Sequence, residues 1–148
     1  MPKKGLDLNQ TTFILYYLAW LQALVATAGS LFFSEVMSFT PCKLCWYQRI
    51  LMYPLVFVIG TGLIKKDKNL PLYVLPLSLT GMLVALYHNL IYYGIINERL
   101  VRCASDVPCT TRFFAWFGFI TIPLLSLTAF TVITALMFLS RKTQKKTD

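Results

Sequence analysis

An all-α fold, an integral membrane bundle of four helices, is what this sequence predicts, and three observations predict it. Four long apolar spans divide the chain, charge is scarce, and the basic residues gather at the span ends. Of the 148 residues, 57% are hydrophobic and 14% charged, against about 25% charged in a soluble domain. The mean hydropathy is +0.62. A net charge of +8 would suit a nucleic-acid binder only if it formed a surface stripe. Its clustering at segment ends excludes nucleic acid as a partner.

The spans follow in order. Thr11 to Ser34 carries no charge, and neither does Ile50 to Ile64, which extends back to Trp46 if Arg49 is tolerated. Asn69 to Asn97 contains His88 alone as an ionisable side chain near neutral pH, and Phe113 to Ser140 has no charge. A membrane helix needs about 20 apolar residues. The first, third and fourth spans meet that directly; the second meets it by starting near Cys45, which puts Arg49 at the membrane boundary. The expected helices are residues 11–34, 46–64, 70–96 and 113–140, in one transmembrane domain covering 1–148. Ala26-Thr27-Ala28 resembles a signal cleavage site, but the first span is longer than the about 7–15 residues of a signal core, so it is expected to be retained. The short link Lys65 to Asn69 makes helices two and three antiparallel neighbours. Pro54, Pro76 and Pro123 fall inside spans and are expected as kinks whose freed backbone groups neighbouring helices satisfy.

Orientation follows from the basic residues. Lys3, Lys4, Lys65, Lys66, Lys68, Arg141, Lys142, Lys145 and Lys146 fall on one face; Lys43, Arg49, Arg99, Arg102 and Arg112 fall on the other. The positive-inside rule puts the first set, and both termini, in the cytosol. The polar tail from Arg141 to Asp148 then lies near anionic headgroups. Two outer loops remain, about Glu35 to Cys45 and about Asn97 to Arg112. They carry all four cysteines of the chain: Cys42 and Cys45 in a C-x-x-C, and Cys103 with Cys109. Thiols outside the cytosol can remain oxidised.

Thr40 is a good N-cap and Pro41 a good first helical residue. Cys42, Cys45 and Arg49 then share one helical face. A helix N-terminus and an adjacent cation favour a reactive thiolate. An all-thiolate zinc site fits poorly, because the second pair has five residues between its cysteines. Covalent haem needs a histidine where Trp46 stands. No metal is expected. Arg49 alone reads as a headgroup anchor, but one turn from Cys45 it also reads as part of a site. His88, inside the third span, is either a site residue or a buried neutral imidazole bonded to a neighbouring helix. Trp46, Tyr47, Tyr87, Tyr92, Tyr93, Trp116 and Phe117 crowd the outer boundary as an aromatic belt, and some of them suit a flat ring-shaped ligand. The Cys103–Cys109 loop is polar, and an accessible disulfide there is labile to a soluble partner; the plain alternative is a loop staple. Two reactive pairs on one face imply a relay from a soluble dithiol protein to a lipid-soluble oxidant.

Pro41-Cys42-Lys43-Leu44-Cys45-Trp46-Tyr47-Gln48-Arg49 resembles the signature of the disulfide bond formation protein B family, the DsbB and BdbC membrane thiol:quinone oxidoreductases. Val107-Pro108-Cys109-Thr110 and Trp116 to Pro123 resemble the second motif of the short Gram-positive-type branch, and Tyr87-His88 its third helix. The resemblance spans roughly Thr40 to Phe130. It implies a multi-pass protein of a bacterial plasma membrane that reoxidises an extracytoplasmic thioredoxin-like DsbA/BdbD-type protein. The electrons would pass to a membrane quinone, menaquinone or ubiquinone. By that resemblance Cys45 faces the quinone with Cys42 as its disulfide partner, and Arg49 holds and polarises the quinone head, with His88 beside it. Cys103 forms the mixed disulfide with the protein partner, and Cys109 resolves towards Cys42. The second loop is shorter than in long-loop members. The alternatives are a vitamin K epoxide reductase-like enzyme, against which the helix order counts, and a non-catalytic bundle with structural disulfides.

Overall fold

A computed structural model describes residues 8–38, 41–97 and 121–145. Among them are four α-helices and no strand: α1, Leu8–Leu31; α2, Lys43–Lys65; α3, Leu70–Tyr92; and α4, Ile122–Lys145. A π-helical turn, Phe32–Val36, continues α1. All four are long and apolar enough to cross a membrane. Their outward faces stay apolar: Phe57 is 74% exposed and Ile64 84%. Water would penalise that surface heavily, whereas lipid does not.

Each helix packs on the next, and α4 closes against α1. The turn between α2 and α3 is tight because Lys66 adopts a left-handed conformation, φ 51°. Its N–H donates to Leu63 O and that of Asp67 to Gly62 O, the bond pattern of a Schellman motif. Asp67 then accepts the Asn69 N–H at 2.8 Å. At the same end Gln144 of α4 donates to the Tyr16 hydroxyl of α1 at 2.7 Å, so the start of α1 and the end of α4 lie together.

The core runs along the bundle axis through Leu55, Ile59, Val74, Phe130, Ile133 and Met137, all fully buried. Lipid tails are as apolar as these side chains, so close packing and hydrogen bonds hold the helices together. Gly81 shows how close: a Cβ there would overlap the Phe130 ring. Polar clamps join helix pairs. Trp20 donates to Val56 O at 3.1 Å, Thr134 to the Ser78 hydroxyl at 3.0 Å, and Asn89 to Pro123 O at 2.8 Å.

Two local expectations change. The N-cap of α2 is Cys42, with ψ 170°, so the helix begins at Lys43 and Pro41 precedes it; Thr40 lies outside the described residues. The helix expected to reach residue 96 ends at Tyr92, followed by a turn in which Gly94 takes φ 75°. The start expected for the last helix at 113 lies outside the described residues, as does the Cys103–Cys109 loop.

Candidate functional site

Three helices bring the candidate residues together at one end of the bundle. Cys42 caps α2 and Cys45 completes its first turn, so the C-x-x-C spacing stacks the sulfurs over a helix N-terminus. The two are not bonded to each other; the Cys42 thiol donates to Cys45 Sγ at 3.2 Å. A bonded pair sits near 2.05 Å, so closure needs a movement of about 1 Å.

Cys42 is buried and Cys45 half-buried. The Cys42 thiol is pushed up to about 12, first by its hydrogen bond to Cys45 and then by burial, with His88 pulling the other way. Burial and the hydrogen bond to Cys45 thus favour the protonated form of Cys42.

His88 of α3 is 2% exposed. Its Nε2 lies 3.7 Å from Cys42 Sγ, and its Nδ1 lies 3.1 Å from the Gln48 side-chain nitrogen. When Gln48 donates to Nδ1, Nε2 carries the ring proton and faces the Cys42 sulfur. The imidazole is thus bonded to a neighbouring helix, through Gln48 and not Asn89. It also reaches the ligand-sized pocket described below.

Arg49 is fixed from α1. Its Nε donates to the Ser30 hydroxyl and its terminal nitrogen to Ser30 O, both at 3.0 Å. The guanidinium also lies 5.7 Å from the Trp46 ring centroid, within cation–π range. These contacts hold the charge beside the cysteine pair, where a flexible headgroup anchor would have none of them.

A pocket of about 340 Å³ lies against this cluster, lined by Cys45, Arg49, His88 and, further along, Gln22 and Tyr53. Val25 of α1 and Leu125 of α4 belong to its lining and are exposed on the apolar surface, so it communicates with the lipid side of the bundle. The Tyr53 hydroxyl is buried without a hydrogen-bond partner. Such an orphan is costly in an apolar surrounding unless something satisfies it.

Cys42, Cys45, Arg49 and His88 of the expected set therefore meet at one place; Cys103 and Cys109 lie outside the described residues. The sequence reading missed Gln48 and Ser30. Gln48 carried a signal, an amide one turn beyond Cys45 on an apolar helix. Ser30 carried none, since a serine near a helix end is common.

The family model described as disulfide bond formation protein DsbB matches residues 11–140. Disulfide bond formation protein C of Bacillus subtilis (strain 168) is 44% identical over 131 residues, covering 88% of this chain and 94% of the relative. A probable disulfide formation protein C of Halalkalibacterium halodurans is 49% identical over 115 residues, 78% of this chain and 84% of the relative. A probable disulfide formation protein of Oceanobacillus iheyensis is 47% identical over 131 residues, 88% and 90%. No solved structure matches. With four membrane-spanning helices and a family match over most of its length, the chain belongs to the DsbB family and is a multi-pass, disulfide-generating oxidoreductase of a bacterial plasma membrane.

Proposed function

We propose that the protein reoxidises an extracytoplasmic thioredoxin-like thiol oxidase of the DsbA/BdbD type and passes the electrons to a membrane quinone, menaquinone or ubiquinone. The observation that carries this reading is the Cys42–Cys45 pair beside a lipid-side pocket that also holds Arg49.

The pocket suits a quinone head. Such a head is a flat apolar ring with carbonyl acceptors at opposite edges. Arg49 offers a charged donor at the cysteine end, and the orphaned Tyr53 hydroxyl offers a second donor elsewhere in the lining. A volume of about 340 Å³ lies in the range of small-ligand sites, about 300–1,000 Å³. When bound, the quinone supplies a two-electron acceptor within the membrane.

The protein's own groups divide the remaining work. Ser30 holds Arg49 so that its charge is in place before any negative charge develops in the pocket. Cys45 presents the attacking sulfur, and Cys42 the sulfur that closes the disulfide. His88, oriented by Gln48, holds the Cys42 side chain at the first turn of α2. Cys103 and Cys109 exchange with the protein partner. Its dithiol loses two electrons and two protons as their disulfide is reduced, and they in turn reduce Cys42–Cys45. With the Lys65 end in the cytosol, both pairs face the outside.

The test is quinone absorbance over time, anaerobically, with the purified protein in detergent and a reduced thioredoxin-like partner as donor. Loss of quinone absorbance is expected, and Cys45→Ser should slow it by more than about a thousandfold, as for other nucleophile deletions. A Cys45→Ser protein that still reduces quinone would remove Cys45 from the path. No reduction by a folded native protein would refute the electron route.

A further inference from the structure

We propose that the reduced Cys42–Cys45 pair and His88 form a binding site for a soft divalent cation of the Zn²⁺ type, and that the bound cation holds the protein in its reduced state. The three ligand atoms, Cys42 Sγ, Cys45 Sγ and a ring nitrogen of His88, all lie within 4.8 Å of one another. Two edges of that triangle measure 3.2 Å and 3.7 Å. With zinc–sulfur bonds of about 2.3 Å and zinc–nitrogen bonds of about 2.0–2.1 Å, a tetrahedral site has ligand–ligand edges of about 3.4–3.8 Å. The Cys42–His88 edge already has these dimensions; the sulfur–sulfur edge must open by about 0.5 Å and the third edge close by at most about 1.3 Å.

The surroundings fit as well. Two ligands come from the first turn of α2 and one from α3, so the packing of α2 on α3 presets the site. A metal-bound imidazole needs a partner on its other nitrogen. Gln48 stands 3.1 Å from Nδ1, and a half-turn of its amide presents the carbonyl oxygen to an N–H there. Two thiolates would neutralise the cation in an apolar setting, as buried charge requires. Three protein ligands beside a pocket leave a fourth position for water.

Binding moves no electrons. The cation displaces the two thiol protons, which leave to solvent, and two metal–sulfur bonds and one metal–nitrogen bond form. The disulfide form has no thiolate to offer, so the site exists only while the protein is loaded with electrons. A sulfur bonded to the cation cannot attack the next acceptor, and oxidation stalls. The binding rests on geometry alone; the stall rests on the function proposed above.

Cobalt titration tests the site in the full-length protein. Cys103→Ser and Cys109→Ser would remove the other thiols, and a non-thiol reductant would keep Cys42 and Cys45 reduced. One Co²⁺ per chain is expected, with thiolate charge-transfer and tetrahedral ligand-field bands that Zn²⁺ abolishes. The oxidised protein should show none. His88→Gln should change the ligand-field bands, and Gln48→Leu should weaken binding by about 10- to 100-fold, with helicity checked by circular dichroism. Equal bands in the oxidised protein, or bands unchanged by His88→Gln, would overturn the site. In the four-cysteine protein, Zn²⁺ should slow quinone reduction by the reduced enzyme. Cobalt binding without that slowing would overturn the stall and leave the site. Cobalt binding in a protein that reduces no quinone at all would overturn the proposed function and leave the site.

Discussion

Towards the end of the bundle where Lys66 turns the chain, the open space is a mainly apolar groove between α3 and α4 lined by Leu72, Leu75 and Phe138; at the end that carries Cys42 and Cys45, the pocket is lined by Cys45, Gln48, Arg49 and His88. Gly62 meets Leu70 so closely that a Cβ would overlap it, and midway along the bundle Gly81 does the same with Phe130. Near the Lys66 turn the polar contacts include backbone capping bonds, the Asp67 carboxylate accepting from the Asn69 N–H, and the clamp from Gln144 to Tyr16. At the cysteine end the buried polar groups include Gln48, His88, Asn89 and Thr121, and the Tyr53 hydroxyl further along the pocket has no partner. The difference teaches a division of labour. Dense packing in one half sets the helix positions, and those positions hold polar groups in the other half that could not assemble by themselves in lipid.

That division can be broken from either side. Gly62→Ala pushes a methyl into the Leu70 side chain, away from the pocket, and should cost about 1–3 kcal/mol of stability, measured by unfolding in mixed detergent. Its activity per folded molecule should stay near native. A large loss of activity at unchanged stability would mean that the two halves are coupled more tightly than the packing indicates.

From the other side, Arg49→Gln removes the charge beside the pair. It should raise KM for quinone by about tenfold, the worth of a charge-assisted hydrogen bond, and leave KM for the protein partner nearly unchanged. Equal effects on both would return Arg49 to the role of a boundary anchor. Ser30→Ala keeps the charge but loses the hydroxyl that accepts from Nε. A loss of about 1 kcal/mol predicts about a fivefold rise in the same KM, and no rise would mean that the bond to Ser30 O suffices. Tyr53→Phe is the finest probe. The hydroxyl has no partner, so its removal should not lower stability, while quinone affinity should fall about two- to threefold. Lower stability instead would point to an intramolecular role.

Much of this architecture is legible in the chain. Four uncharged runs of sufficient length make membrane helices, because an unpaired backbone cannot lie in lipid. The three-residue spacing of Cys42 and Cys45 puts two sulfurs on one helix face wherever that helix goes. Arg49 shares the face for the same reason. The family, too, was legible, since the run from Pro41 to Arg49 is a dense and specific motif. The start of α2 falls between the two sequence cues: Thr40 and Pro41 offer a capping pattern two residues before the cap at Cys42, and the expected helix from 46 begins three residues after Lys43.

What hydropathy could not give is which side of each helix faces inward. These helices are apolar all round, so no stripe marks the buried face. Only close approach decides it: Phe130 lies against Gly81, and Trp20 reaches the Val56 carbonyl. Those choices turn His88 towards Gln48 and Cys42, tie Arg49 to Ser30 on a helix nineteen residues away in sequence, and open the pocket that residues of all four helices line. The sequence by itself determined the helices, the cysteine spacing and the class of chemistry, because those depend on local composition and period. The tertiary structure alone decided the partners of His88 and Arg49, because partners across helices follow from packing shape, which a uniformly apolar sequence does not encode in its pattern.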